Sequence, residues 1–479
     1  MTLPLSYDRS NLRPRAAHLG VGAFHRAHQQ GYYDDLARSS SNSSDSWGVV
    51  GVNLTPPDIS DVHSAQDGCF NVLTEDGDGR ECRTIGTLLR VSDAKDAAKV
   101  DWSGIEFVTL TITEKGYCHH AGGMELDLSK VAADLVNPEN PHTAIGYLAS
   151  MLERRRRAQG GPITLASCDN VADNGMLLGA VLQDYVARVF PDLSAWLNAN
   201  VTFPTSMVDR IVPAMSTASR DRLQTACGHE DALGVVAEPF RQWVIEDRFA
   251  AARPAFEQVG VQIVDNLAPY EHMKHRLLNG LQSSYAELGR LCGHQGSYAA
   301  STDPDLACWA SVFLASQATT LHCPKGENLT EYGLTSLKRL QNPTIHHPLN
   351  QIASDASFKL PQRIGAPAAE RLERGLAATP QAMVIAGWAL QGGDTRPDAD
   401  GVVTADPMGP EIANLRARHA ASAVDLAQAV LALPIWPSRL RDDAGFAADT
   451  AYWIQTFAGQ PAEASRAKIG AFSRENTNA

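Results

Sequence analysis

Two stretches of the chain carry residue types whose spacing suits the transfer of a hydride and a proton. The first is His18-Leu19-Gly20-Val21-Gly22-Ala23-Phe24-His25-Arg26. It follows an apolar run and opens a helical pattern. Two glycines at such a turn let the backbone approach a pyrophosphate, and the helix start adds amide donors and a favourable dipole. His25 occupies the place of the usual third glycine, so the pattern is incomplete. The second stretch is Tyr270-x-x-x-Lys274, a spacing at which a lysine can lower the pKa of a tyrosine base. That dyad belongs inside a nucleotide-binding domain, yet here it falls about 250 residues after Gly20. Other patterns carry less. Gly228-His229-Glu230 has the flavour of a zinc site, but the eight cysteines are scattered, the closest pair thirteen apart, with no Cys-x-x-Cys. His119-His120 and His346-His347 are adjacent and share no helix face. No metal site is expected.

The elements that must position these residues change character along the chain. Strand-like runs occur at residues 16–20, 49–54, 107–112, 163–167 and 261–265, with helical stretches between several of them. That alternation builds a parallel sheet with crossover helices. A serine-rich loop spans residues 39–46. Arg154 to Arg157 end a helical pattern that starts at Ile145 and precede Gly160-Gly161-Pro162, an ordinary helix stop rather than a nucleic-acid patch. After Pro269 the apolar spacing is helical nearly everywhere, with Met273, Leu277, Leu281, Tyr285 and Leu288 on one stripe. Further helices are expected at residues 304–321, 380–390 and 411–433. The expected architecture is α/β, with residues 1–268 a Rossmann-type dinucleotide-binding domain and residues 269–479 a mostly helical substrate domain.

Composition bounds the rest. With 479 residues, 44% hydrophobic and 20% charged, the chain is globular and long enough for two or three domains. A net charge of -13 argues against nucleic acid or anionic membrane as a partner. No apolar run is long enough to span a membrane, and the first residues show no basic segment followed by an apolar one. A cytoplasmic protein with no obligate protein partner is expected.

Seven segments, in order, carry a family resemblance: HLGVGAFHRAHQ from His18, TEKGY from Thr113, SCDN from Ser167, FPTSMVDRIVP from Phe203, EPFRQWVIED from Glu238, PYEHMKHRLLNG from Pro269 and SDASFKLPQR from Ser354. Together they are far more specific than the glycine turn. In them the chain resembles the mannitol dehydrogenase family of polyol and sugar-acid dehydrogenases. Oxidising a secondary alcohol requires a base and donors for the developing oxyanion. The resemblance implies that Lys274 is a metal-independent general acid/base, with Asn279 and Asn170 polarising the substrate oxygen. It also implies that Asp209 and Lys359 meet the substrate. In ideal α-helical geometry Lys274, Gln282 and Asn279 lie at about 0°, 80° and 140°, one shared side. Gly20, Gly22, Phe24, His25, Arg26 and Asn53 are the expected cofactor-binding residues. Asn53 stands where an acid usually meets the adenosine ribose of NAD, so NAD is expected with NADP not excluded.

Two departures bear on the substrate. Gln282 replaces the family's usual histidine; it can orient a hydroxyl but cannot relay a proton. Gln351 stands where mannitol-type members tend to place arginine, and with KLPQR it looks closer to the fructuronate reductase (mannonate oxidoreductase) branch. The expected reaction is therefore D-mannonate to D-fructuronate, with D-mannitol to D-fructose the close alternative. A dinucleotide-binding protein without turnover is the non-enzymatic alternative, favoured only by Gln282.

Overall fold

The computed structural model describes residues 5–39, 47–120, 123–345 and 347–476. His346 and residues 40–46 of the expected serine-rich loop lie outside them. The chain forms two compact units, Met1–Leu267 and Ala268–Ala479.

The first unit is organised on β-branched and small residues that bury both faces of a sheet. Among the described residues its strands are β1 (Arg13–Leu19), β2 (Trp47–Val52), β3 (Phe70–Glu75), β4 (Arg80–Ile85), β5 (Leu88–Ser92), β6 (Phe107–Leu110), β7 (Ile163–Ser167), β8 (Val201–Thr202), β9 (Ser206–Asp209), β10 (Val235–Ala237), β11 (Gln242–Glu246) and β12 (Gln262–Val264). Six of them form one sheet in the order β5-β2-β1-β6-β7-β8, every pair parallel. Counted within that sheet, the order is 3-2-1-4-5-6, the Rossmann arrangement, whose ligand crevice lies outside the carboxyl ends of the strands where the order reverses. Here that switch point falls between β1 and β6, so the glycine turn after β1 stands at it. Two cores flank the sheet, one containing Leu19, Val50, Val108, Leu148 and Leu165, the other Ala16, Val49, Phe107, Trp243 and Phe256.

Two expectations change. The run at residues 261–265 does form a strand, β12, but it pairs with β11 in a separate three-stranded sheet with β9. The main sheet is completed instead by β5 and β8. β8 has two residues, too few to show a period. A second small sheet, β10-β3-β4, carries the hairpin at residues 70–85. The arginine run ends the helix Ala144–Arg157 as expected. Arg155 donates to the carbonyls of Gly161, Trp102 and Pro162, while Arg156 and Arg157 pair with Glu153.

The second unit is helical. The stripe Met273, Leu277, Leu281, Tyr285 and Leu288 is fully buried. The helix carrying it is not a plain α-helix, however. It runs as α over Ala268–Met273, π over Lys274–Asn279, α over Gly280–Ser284 and π over Tyr285–Gly289. A third π segment, Pro361–Gly365, lies in the KLPQR stretch. Asp303 caps the helix Pro304–Ala318 by accepting from the Asp305 and Leu306 amides. The single helix expected over 411–433 is two, Gly409–Arg418 and Ala423–Leu431. Ser422 breaks it, because its hydroxyl accepts from the Asp425 amide and starts a new helix. Among the described residues, no helix is long and apolar enough to cross a membrane.

Candidate active site

In the first unit the glycine turn is built by neighbours on either side. Gly20 has φ +88°, and a Cβ there would collide with the Thr111 carbonyl, so the fold itself demands glycine. Gly22 differs: it is exposed, and a Cβ there would meet only the Gly20 carbonyl, at 3.9 Å. The fold does not require a glycine there, and the open space leaves the backbone of Gly22 accessible. No side chain caps the helix Ala23–Ala27 that follows, which leaves its first amides for an anion. A pyrophosphate fits this cradle.

The other expected cofactor residues are placed more tightly than their types suggest. The Asn53 Oδ1 accepts from the Val21 amide at 2.7 Å, so this side chain pins the turn to the end of β2. His25 is fully buried and stacks on His18, with ring centroids 3.4 Å apart. His18 bonds Thr109, Thr111 and the Gly20 carbonyl. Burial pushes His18 and His28 down to about 3 and His25 well below its usual value; all three are neutral at ordinary pH. Phe24 is half-buried and stacks on His28. Arg26 donates to the Leu233 and Val21 carbonyls. The side chains of His25 and Arg26 thus brace the turn from behind.

Asp169, which sequence reasoning passed over in the SCDN segment, ties two motifs together. Its carboxylate accepts from the Ile112 and Thr113 amides and from the Tyr117 hydroxyl, joining TEKGY to the end of β7. Asn170, next to it, is exposed. Asp209 is buried at the end of β9. The Arg210 guanidinium beside it donates to the Glu238 and Ala27 carbonyls, and the Glu238 carboxylate accepts from the Ile211 amide. The MVDR and EPFR segments are therefore one interlocked support.

In the second unit Lys274 and Asn279 are both 5% exposed. The intervening π turn bonds residues five apart rather than four. That register corrects the ideal-helix angles, because Lys274 and Asn279, five apart, are drawn onto one face. Two groups hold the turn. The Gln317 side chain, fully buried, donates to the carbonyls of Arg276 and Arg363, so it bridges two of the π segments. Gly280 lets it approach, since a Cβ there would stand 3.1 Å from the Gln317 amide nitrogen. The Asn279 Nδ2 is buried and meets no partner among the described residues. A donor left so costs about 1–3 kcal/mol, a cost that a substrate oxygen would remove.

The surrounding cations divide by partner. Arg276 is spent on a two-pronged pair with Glu370 and on the Thr320 carbonyl. The Lys359 ammonium donates to the Ile352 and Ser354 carbonyls, and burial lowers its pKa. It closes the end of the helix Leu349–Ala353, a role not expected for it. Gln282 is half-buried and Gln351 exposed. The Tyr270 hydroxyl donates to the Lys325 carbonyl at 2.7 Å, and burial raises its pKa. Both facts oppose a tyrosine base. His229 spends its nitrogens on the Cys227 carbonyl and Asn71, and no group of three or more His, Cys, Asp or Glu able to hold a metal occurs among the described residues.

A Rossmann unit with an open glycine cradle, followed by a helical unit that buries Lys274 and Asn279 on one π turn, has the parts of an NAD(P)-dependent dehydrogenase. Residues 14–258 match the mannitol dehydrogenase Rossmann domain and residues 266–457 the mannitol dehydrogenase C-terminal domain, so the chain belongs to the mannitol dehydrogenase family. It is 37% identical to the D-mannonate oxidoreductase of Escherichia coli (strain K12), over 89% of this chain and 90% of that one. It is also 37% identical to the polyol:NADP oxidoreductase of Gluconobacter oxydans (strain 621H), over 74% and 75%. Among solved structures, the Pseudomonas fluorescens mannitol 2-dehydrogenase ternary complex with NAD and D-mannitol is 32% identical, with TM-score 0.80, over 97% of this chain and 96% of that one. The protein is thus an enzyme, an oxidoreductase of polyols or sugar acids with a dinucleotide cofactor.

Proposed function

We propose that the enzyme interconverts D-mannonate and D-fructuronate with NAD(H). The observation that carries the chemistry is the burial of Lys274 and of the unpartnered Asn279 amide on one π turn. The dinucleotide supplies or accepts the hydride. In reduction, the Lys274 ammonium gives a proton to the carbonyl oxygen while the Asn279 Nδ2 donates a hydrogen bond to it. In oxidation, the neutral amine takes the hydroxyl proton. Asn170 is assigned a second donor role toward that oxygen, and Asp209 the acceptance of a substrate hydroxyl. Gln282 orients the reacting hydroxyl without exchanging its proton. Gly20, Gly22 and the first amides of the helix Ala23–Ala27 hold the pyrophosphate.

The similarity to D-mannonate oxidoreductase over nine-tenths of both chains supports the substrate, as does Gln351 in place of arginine. Mannitol and fructose are the second reading, favoured by the likeness to the mannitol-bound structure. A reductase panel of fructuronate, tagaturonate and fructose, each with NADH and NADPH, decides between them; fructuronate with NADH is expected to give the highest kcat/KM. Lys274→Ala is expected to lower kcat by about 10²–10⁴-fold with an unchanged circular-dichroism spectrum. A variant retaining more than about a tenth of the activity contradicts the base assignment.

A further inference from the structure

Arg363 is a cation of the second unit with no acidic partner among the described residues and with a place beside Asn279. The Arg363 guanidinium is half-buried in the KLPQR segment. Its NH1 donates to the Ser283 hydroxyl at 3.0 Å and, more weakly, to the Asn279 carbonyl at 3.4 Å. Among the described residues no carboxylate lies within ion-pair distance of it, in contrast to Arg276 with Glu370. Its main chain is fixed as well, through the Gln317 bond to its carbonyl. NH1 is thus spent on protein, while Nε and NH2, the edge that grips a carboxylate in two-pronged fashion, have no partner among the described residues.

Location gives this free edge its meaning. Arg363 contacts the backbone of Asn279, the residue whose side-chain amide waits for an oxygen. The His275 imidazole senses the same cluster: burial, then the Lys274 and Arg363 charges, push it down to about 3. A positive charge beside a donor for the reacting oxygen, but not on it, suits a substrate whose carboxylate stands several bonds from its carbonyl. A partly enclosed guanidinium without a counter-charge is costly, and an anionic substrate would supply that charge.

We infer that Arg363 is the specificity-determining residue that binds the substrate carboxylate through its Nε and NH2 donors. This rests on the sugar-acid reading and deepens it. The test compares wild type, Arg363→Met and Arg363→Lys on fructuronate and on fructose, with saturating NADH. Arg363→Met is expected to lose about 10- to 100-fold in kcat/KM on fructuronate, mostly through KM, as loss of a charge-assisted pair predicts. Its kcat/KM on fructose is expected to fall several-fold less than on fructuronate, so discrimination collapses. Arg363→Lys is expected to recover part of the loss. Equal losses on both substrates, or none on fructuronate, overturn the inference while leaving the sugar-acid reading standing. A wild type that reduces fructose but not fructuronate overturns both.

Discussion

Gly20 and Gly22 look interchangeable as letters but differ in what requires them. Gly20 is fixed by a positive φ and by the Thr111 carbonyl, whereas Gly22 has ordinary dihedrals and open space above it. Gly20→Ala is therefore expected to destabilise the first unit by at least about 1–2 kcal/mol, the cost of the left-handed conformation alone, with the collision added. Gly22→Ala is expected to leave Tm nearly unchanged yet weaken NADH binding. Thermal melts and fluorescence titration of NADH, run on both variants, separate the two roles; equal Tm losses would contradict them. Asn53 shows a structural task beside the ribose contact expected of it: its Oδ1 secures the Val21 amide.

The telling element is the helix that begins at Ala268. Its buried stripe was readable as a 3.6-residue period, and that period correctly gave a helix. The two π turns within it were not readable, because a π turn inserts one residue into the register without altering residue types. What holds the first of them is Gln317, from another helix. Gln317→Leu removes the donor shared by the Arg276 and Arg363 carbonyls. It is expected to cost roughly 1–3 kcal/mol in denaturant unfolding and to lower kcat more than it raises KM, since Lys274 and Asn279 ride on that turn. A loss of stability with unchanged kcat would confine Gln317 to packing.

For the whole molecule, pH acts with opposite sign on two kinds of buried group. His18 and His28 have folded pKa values near 3, against an ordinary 6.5. The unfolded chain therefore binds more protons between those values, and the first unit loses stability as pH falls through that window. The slope is up to roughly 1.4 kcal/mol per pH unit for each histidine. Glu287, fully enclosed in the second unit, is pushed by burial from 4.5 to about 7, and its Oε2 has no partner among the described residues. Here the folded state binds the extra proton, so this contribution is complete below about 4.5 and is lost as pH rises through 7. Glu287→Gln is expected to stabilise the protein more at pH 8 than at pH 5, measured by chemical denaturation. An equal effect at both pH values would refute the assignment.

From the sequence alone came the family, the α/β-then-helical architecture, and the lysine and asparagines to which the proposed chemistry is assigned. These rest on local motifs whose residue types must be present wherever the chain leads. Tertiary structure alone decided that β5 and β8, not β12, complete the parallel sheet, and that Asp169 joins TEKGY to SCDN. It alone showed Lys359 closing a helix end and Arg363 keeping a free donor edge. Each of these depends on which partner a polar group finds once the chain has folded, and no periodicity or spacing records that choice.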